Sequence, residues 1–534
     1  LGYGTLSTSS SNANYLKTTQ IQVKIDANTY LENVVDIGGT MESRFALTQD
    51  GIVYGWGLNT TGELGDSTTT NKAYATKNLR RYKDEVEKTV VKLNESSSGY
   101  TNYMIKEDGS ILANGKVVNG QILDGGLYSD ARTCVEDVLA SYMEFANRIE
   151  YVKQGTTKKL EVRGVENLNV FAKAPELGNI TWKSMNENVV SIDQNGNITA
   201  KELGQATIIA KDDKHGYRAQ ATIYVTANKA EAITAPMVVQ GTGFTVALKA
   251  DGTVWTTGLN NNGALGDGTT TNRENLEPVK IDENTNLTNV VRIAAGNSHV
   301  LAVTKDGYVY AWGLNGNGQL GINSTAKQTY AQKVLDETGE NYLQNIIDVA
   351  AGGLHSIAID NQGNVYTWGK GGNYQLGNYA TANKLIPVRV WDTYNVVKAA
   401  GGAEYTVLLR GDGTAQGTGL NTNGWLAMGD ATTRYTPLEM GSNAERAIQR
   451  EIYDITAGAN HTIFLKEDGK VYTVGLNTSG QLATGNATAS NVLVVAKTKN
   501  EKGELVDLEN IVSISAGNAT SFAVSKNGEA YSTG

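Results

Sequence analysis

Apolar residues in this chain come in short runs, each ended by Gly, Asn or Asp. From Val291 the sequence reads VRIAAGNSHVLAVTKDGYVYAWGLNGNGQLG. One apolar run, 291–295, stops at Gly296, and a second, 299–304, stops before Asp306-Gly307. A third, 308–312, alternates with the period of two expected of a half-buried strand. It ends at Gly313, and a polar Leu-Asn-Gly-Asn-Gly stretch leads to Leu320-Gly321. Runs this short between turn residues predict strands, not helices. Asp-Gly between two of them predicts a hairpin with a type I′ turn, which needs φ > 0 at both central residues.

The same pattern recurs eight times. Its turn glycines are Gly51, Gly109, Gly252, Gly307, Gly363, Gly413, Gly469 and Gly528. A second glycine follows each by six residues: Gly57, Gly115, Gly258, Gly313, Gly369, Gly419, Gly475 and Gly534. Gly-Leu-Asn triplets begin at Gly57, Gly258, Gly313, Gly419 and Gly475. Successive turn glycines stand 58, 143, 55, 56, 50, 56 and 59 residues apart. Several short strands in about 55 residues cannot bury both faces of their sheet, so the units must stack around an axis. The expected fold is all-β, with β-propeller blades of the seven-bladed type.

The interval of 143 residues holds extra material. Removing one period of about 55 leaves a segment the size of an immunoglobulin-like sandwich. The expected division is therefore 1–145 propeller repeats, 146–228 sandwich and 229–534 propeller repeats. Eight units do not fit one seven-bladed ring. An in-line order, with the sandwich as a bead between two propellers, is the expectation. A single ring with the sandwich looped out is the alternative. Unit 2 is the weakest copy, with Asn114 where unit 4 has Trp312.

Two resemblances follow from these residues. The units resemble regulator-of-chromosome-condensation repeats, through Ala295-Gly296-x-x-His299, Asp306-Gly307-x-Val309-Tyr310-x-Trp312-Gly313-x-Asn315 and Gly318-Gln319-Leu320-Gly321. The inserted segment resembles the bacterial group 2 Ig-like domain, through Ile180-Thr-Trp182-x-Ser184-x-Asn186, Val189, Ile192-Asp193-x-x-Gly196-x-Ile198-Thr-Ala200 and Gly204-x-Ala206-Thr207-Ile208. That resemblance implies Trp182, Val189, Ile192, Ile198 and Ile208 as the sandwich core. It also implies an extracellular or cell-wall protein of a bacterium. Both ends of the chain fall inside a repeat, so an export signal or anchor would lie outside this sequence.

Candidate chemistry is sparse. His299, His355 and His461 share one repeat position, where other units carry Phe244, Tyr405 and Thr520. Equivalent positions lie on different blades, so the three read as packing or hydrogen-bonding residues. Trp56, Trp312 and Trp368 likewise share a position that other units fill with Thr257, Thr418, Val474 or Thr533, which suits a site packed between blades. His215 beside Asp212 and Asp213 reads as a solvated turn. Asp282-x-Asn284-x-Asn286 lacks the Gly and Glu of a calcium loop. Gly109 to Lys116 has the wrong spacing for a phosphate loop. Cys134 is the single cysteine. No catalytic, cofactor or metal site is expected.

Net charge is −9 and no basic stripe is present, which argues against nucleic acid. No apolar run is long enough for a membrane helix. The expected function is non-enzymatic: a bacterial surface or secreted scaffold for a protein or glycan ligand, with the Ig-like domain as spacer. The Thr-rich loops 67–71 and 269–273 are plausible contact surfaces. The alternative is a regulator acting on an enzyme through a propeller face, such as a GTPase exchange factor or an enzyme inhibitor.

Overall fold

Each repeat unit folds into a small antiparallel sheet whose strands pair in chain order. In unit 4 the strands are Val290–Ala295, His299–Thr304, Val309–Gly313 and Gln328–Lys333. The computed structural model describes residues 21–78, 90–93, 101–106, 111–115, 135–136, 142–165, 174–390, 393–440 and 450–534, apart from 41, 61, 67 and 69. No helix occurs among the described residues. Units 1 to 7 are four-stranded, and unit 8 is three-stranded. Gly109, Cys134 and part of the loop 67–71 lie outside the described residues.

The chain divides into two compact units, 1–142 with 164–176, and 143–163 with 177–534. The first holds repeat units 1 and 2. Phe45, Leu47, Val53 and Leu64 of unit 1 pack there against Val90, Leu93 and Met104 of unit 2.

The second compact unit holds repeat units 3 to 8 and most of the inserted segment. Side chains alternate across each sheet, so the inner repeats bury both faces against their neighbours, while units 3 and 8 keep Val238, Phe522 and Val524 exposed. Phe244, Val246 and Leu248 of unit 3 meet Val290, Ile293, Val300 and Ala302 of unit 4. The first strands of successive repeats lie against one another and line the axis, while the fourth strands stay outside. Two loop surfaces follow. The turns between second and third strands form one, called here the turn face. The loops after the first and third strands form the other, the loop face.

The hairpin turn differs from the type I′ expectation. Gly307 has φ 82°, but Asp306 does not share the left-handed region. Gly307 N donates to Thr304 O at 2.8 Å and Thr304 N to Tyr308 O at 2.9 Å. This is a three-residue loop, a type I turn followed by a left-handed glycine bulge. The aspartate serves as an Asx acceptor instead: Thr253 N and Lys470 N donate to Asp251 Oδ1 and Asp468 Oδ1, each at 2.9 Å.

The inserted segment forms a sandwich. One sheet pairs Ile149–Lys153, Arg218–Thr226, Gly204–Asp212 and Ile180–Ser184; the other pairs Thr157–Lys159, Asn197–Ala200 and Val190–Ile192. Ile198 and Ile208 are fully buried between them, with Val189 at the edge. Trp182 and Ile192 pack against that core half-buried, and Phe145 meets the Trp182 ring edge-on at 5.9 Å.

Candidate functional site

The repeat residues meet at the junctions between neighbouring blades. The turn glycine is such a joint: its carbonyl accepts from the first strand of the next repeat. Val290 N to Gly252 O is 3.0 Å, and Ile346 N to Gly307 O is 3.1 Å. A Cβ on Gly307 would stand 3.0 Å from the Asn345 nitrogen. The second glycine is excluded from substitution more sharply. A Cβ on Gly313 would stand 2.4 Å from the Ser298 carbonyl oxygen of the adjacent strand.

His299, His355 and His461 are completely buried. Each Nε2 faces a hydroxyl on the following repeat: Ser356 at 3.0 Å, Thr406 at 2.9 Å and Ser521 at 3.0 Å. Those hydroxyls in turn donate to the carbonyls of Gln319, Gln375 and Gln481, at 2.7, 2.8 and 2.7 Å. The hydroxyl proton is thus committed, and Nε2 must be the protonated nitrogen that donates to it. Nδ1 has no hydrogen-bond partner in any of the three. Burial therefore depresses the three imidazoles, to about 4 for His299, about 3 for His355 and about 4 for His461. They are neutral spokes, each in a different blade junction, and His299 adds to the depression of His355.

The equivalent pair in other junctions changes as a pair. Phe244 faces Val300, both apolar and buried. Tyr405 donates to His461 O at 2.6 Å, and Thr462 of the same next repeat donates to Trp425 O at 2.8 Å. The tryptophan position follows similar logic. Trp312 Nε1 and Trp368 Nε1 donate at 2.9 Å to Ala264 O and Gln319 O of the preceding repeat. Asn114, in their place in unit 2, donates to Glu63 O at 3.4 Å, and Thr418 to Tyr374 O at 3.1 Å.

On the loop face the Asn of each Gly-Leu-Asn triplet ties the outer loop shut. Asn260 Oδ1 accepts from Leu265 N at 2.9 Å, while its Nδ2 donates to Thr269 O and Thr271 O, each at 3.1 Å. Asn315, Asn421 and Asn477 repeat the arrangement. Nearer the axis, backbone groups connect successive loops: Thr242 N to Asn297 O at 2.9 Å, Asn297 N to Gly353 O and Ala403 N to Ala459 O at 3.1 Å. This surface carries mainly Asn, Thr, Ser and Leu. Lys370 and Glu404 are paired there.

The turn face is not open. The long sheet of the Ig-like sandwich packs on it directly, so the sandwich is not a bead held off on a linker. Arg218 is 7% exposed, and its guanidinium reaches Glu467 Oε1 at 2.7 Å, Gly411 O at 2.7 Å and Ile452 O at 3.1 Å. Lys211 adds a 3.0 Å contact to Glu467. Burial pushes the Glu467 carboxyl up, but Arg218 and Lys211 outweigh it and hold it below the usual range. Arg148 donates to Asn361 O, and Gln220 Nε2 to Tyr453 O at 3.1 Å. Ile209 enters the cluster formed by Tyr453, Leu465 and Ile511.

Along the axis, the third residue of the first strand alternates in sign: Arg292, Asp348, Lys398, Asp454. Arg292 pairs with Asp348 at 2.9 Å, and Lys398 with Asp454. The sandwich closes over Arg292 with Tyr224, whose ring lies 4.7 Å from the guanidinium carbon and stacks on Tyr151. These charges escaped sequence reasoning because they lie 50–56 residues apart; their fixed place in each apolar first strand was the available signal. His215 is held by Asp212 at 2.9 Å and stacks on Tyr217. Among the described residues no group of His, Cys, Asp and Glu is arranged to hold a metal ion. No described helix is long and apolar enough to cross a membrane.

Comparison with known proteins agrees with this architecture. Residues 143–223 match the bacterial Ig-like domain (group 2), and residues 195–534 match the RCC1-like domain. The ultraviolet-B receptor UVR8 of Arabidopsis thaliana is 30% identical over 276 residues, 51% of this chain and 60% of the receptor. The chain thus spans about three fifths of that relative's length. The regulator of chromosome condensation of Xenopus laevis is 26% identical over 312 residues, 54% of this chain and 69% of that protein. Among solved structures, human WBSCR16 is similar at 16% identity and a TM-score of 0.44, covering 90% of this chain and 99% of the other. The chain belongs to the RCC1-like domain family, its propeller repeats interrupted by a segment that matches the bacterial Ig-like domain of group 2.

Proposed function

We propose that this is a non-enzymatic binding scaffold of the bacterial exterior, and that it meets its partner through the loop face. One observation carries the reading. The Ig-like sandwich occupies the turn face through Arg218, Arg148 and Tyr224, leaving the opposite surface for a ligand. That surface is rigid, because the outer loops of units 3, 4, 6 and 7 are each tied by a buried Asn, and rigid loops bind without a large ordering cost. Half-exposed Leu314, Leu354, Leu420 and Leu476, with Leu259 at 47% exposed, supply apolar area among uncharged polar groups. A protein partner suits that mixture. The bacterial setting rests on the Ig-like match.

The test is binding of the purified chain to immobilised collagen, fibronectin and laminin. Micromolar binding abolished by Leu314→Glu with Leu420→Glu is expected. No binding to any of the three contradicts the reading. Kinship with the regulator of chromosome condensation favours a second reading, a regulator of an enzyme. Acceleration of nucleotide exchange on a Ran-type GTPase would establish that reading in place of the first.

A further inference from the structure

Unit 5 departs from its neighbours at two positions of the outer loop. Where units 1, 3, 4, 6 and 7 carry Gly62, Gly263, Gly318, Gly424 and Gly480, with φ between 72° and 84°, unit 5 carries Tyr374 at φ 62°. Five residues on, where units 3, 6 and 7 carry Gly268, Gly429 and Gly485 and unit 4 carries Asn323, it carries Tyr379, also at φ 62°. A bulky residue in the left-handed region is strained, and glycine in the sister loops avoids that strain. Strain of this kind persists where the side chain is used.

Both tyrosines gather at one place. Tyr374 meets Tyr435, on the fourth strand of unit 6, edge-on with ring centroids 4.5 Å apart. Tyr379 N donates to Tyr435 O at 3.1 Å. The sister positions of Tyr435 are Glu274, Thr329, Leu385 and Asn491, so the aromatic group is peculiar to this junction. Packing alone would bury such rings, yet Tyr379 and Tyr435 are 40% and 45% exposed.

We propose that Tyr374, Tyr379 and Tyr435 form a binding platform for a neutral oligosaccharide. Ring faces take the C–H surface of a sugar, while phenol and amide groups take its hydroxyls. The setting is short of free charge. Arg434 is held by both carboxylate oxygens of Asp430, at 2.9 and 2.7 Å, and Lys370 is paired with Glu404. Amides share the outer loop of unit 5 with Tyr374 and Tyr379: Asn373 donates to Glu404 at 2.6 Å, and Asn383 to Asn317 at 3.1 Å. A charged ligand would find no unpaired counter-ion in these two pairs, and sugar hydroxyls need none. This site lies in the outer loop of unit 5 and on the fourth strand of unit 6, and uses none of the leucines assigned above to a protein partner.

Restoring the repeat pattern gives a clean test. Tyr374→Gly with Tyr379→Gly removes two rings and relieves two strained positions. Calorimetric titration of the whole chain uses maltohexaose, cellohexaose and chitohexaose. At least one of the three should bind, and the double variant should weaken it tenfold or more with Tm unchanged or raised. Tyr435→Ser should weaken it without touching a strained position. Absence of binding by all three sugars overturns the proposal, as does binding that the double variant leaves intact. A fall in Tm in the double variant would make the tyrosines packing residues and overturn it equally. Binding of a decaproline peptide in place of every sugar would assign the platform to polypeptide.

Discussion

The turn face and the loop face of the second compact unit are built from the same repeats, yet they are held by opposite chemistry. The turn face is held by charge. Arg218, Arg148, Lys211 and Glu467 join the Ig-like sandwich to the blades, above the Arg292–Asp348 and Lys398–Asp454 pairs. The blade junctions of the loop-face half are held by neutral groups, buried imidazoles, hydroxyls and Asn amides, with ion pairs such as Arg273–Asp267 and Lys370–Glu404 in its loops. A buried ion pair fails when one partner is removed, because the other charge stays behind. A buried neutral imidazole fails when it must take a proton. The two halves should therefore break under different conditions.

Acid should have the largest effect, and it should strike the neutral half first. His299, His355 and His461 are depressed in the folded state to about 4, 3 and 4, from an ordinary value of 6.5. Below pH 6.5 the unfolded chain takes up protons that the folded chain cannot, so stability is full above that pH and falls toward pH 4. Each histidine contributes up to about 1.4 kcal/mol per pH unit in that window. The depressed carboxyl of Glu467 acts with the same sign in a lower window: its contribution is present above the ordinary carboxylate range and is lost only below it. Urea denaturation from pH 7 to 5 should show a steep loss. Replacing all three histidines with Phe, and Ser356, Thr406 and Ser521 with Val, should flatten it.

Arg218→Ala should come next. It leaves Glu467 with Lys211 alone and the carbonyls of Gly411 and Ile452 without the guanidinium, a loss of about 3 kcal/mol for a largely broken buried pair. Replacing Arg218 and Glu467 together by Met and Leu should recover much of it. Chemical denaturation of the four proteins measures the coupling.

Asn315→Ala should cost about 2–3 kcal/mol, because it strips Leu320 N, Ser324 O and Ala326 O of their buried partner. Limited proteolysis should then cut the outer loop of unit 4, while the loops tied by Asn260 and Asn421 stay intact.

The smallest effect belongs to the junction swap. Ser356→Val alone orphans the His299 Nε2 proton and should cost about 1–3 kcal/mol. Adding His299→Phe should restore most of that loss, since Phe244 and Val300 already form such a junction. A coupling energy of about 1 kcal/mol or more in the double-mutant cycle is expected.

Repetition is what made the fold legible. Eight turn glycines in register with eight partners six residues later define strand, turn and strand without any long-range knowledge. The jobs of the repeated residues were less legible. Asp-Gly signalled a hairpin, but the turn is a type I turn with a glycine bulge, because the glycine carbonyl must also reach the next repeat. Asn289, Asn345, Asn395 and Asn510 stand just before the first strands of units 4, 5, 6 and 8 in the left-handed conformation, with Glu451 in that place in unit 7, a recurrence visible in the sequence and easily passed over. The docking of the sandwich was not legible. Arg218 and Glu467 are 249 residues apart, and nothing local marks either as a partner. The in-line order made the sandwich a bead; its long sheet instead carries Arg218, Gln220 and Tyr224, all aimed at the blades.

Zero-length carbodiimide cross-linking of the intact chain, read by mass spectrometry, tests the closed turn face directly. Lys211 stands 3.0 Å from Glu467 and 3.5 Å from Glu451. Lys211 should link to one or both of these glutamates, and Arg218→Ala should reduce the yield severalfold. A wild-type chain that gives no link between Lys211 and either glutamate would mean that the sandwich does not sit on the blades, and the turn face would be open.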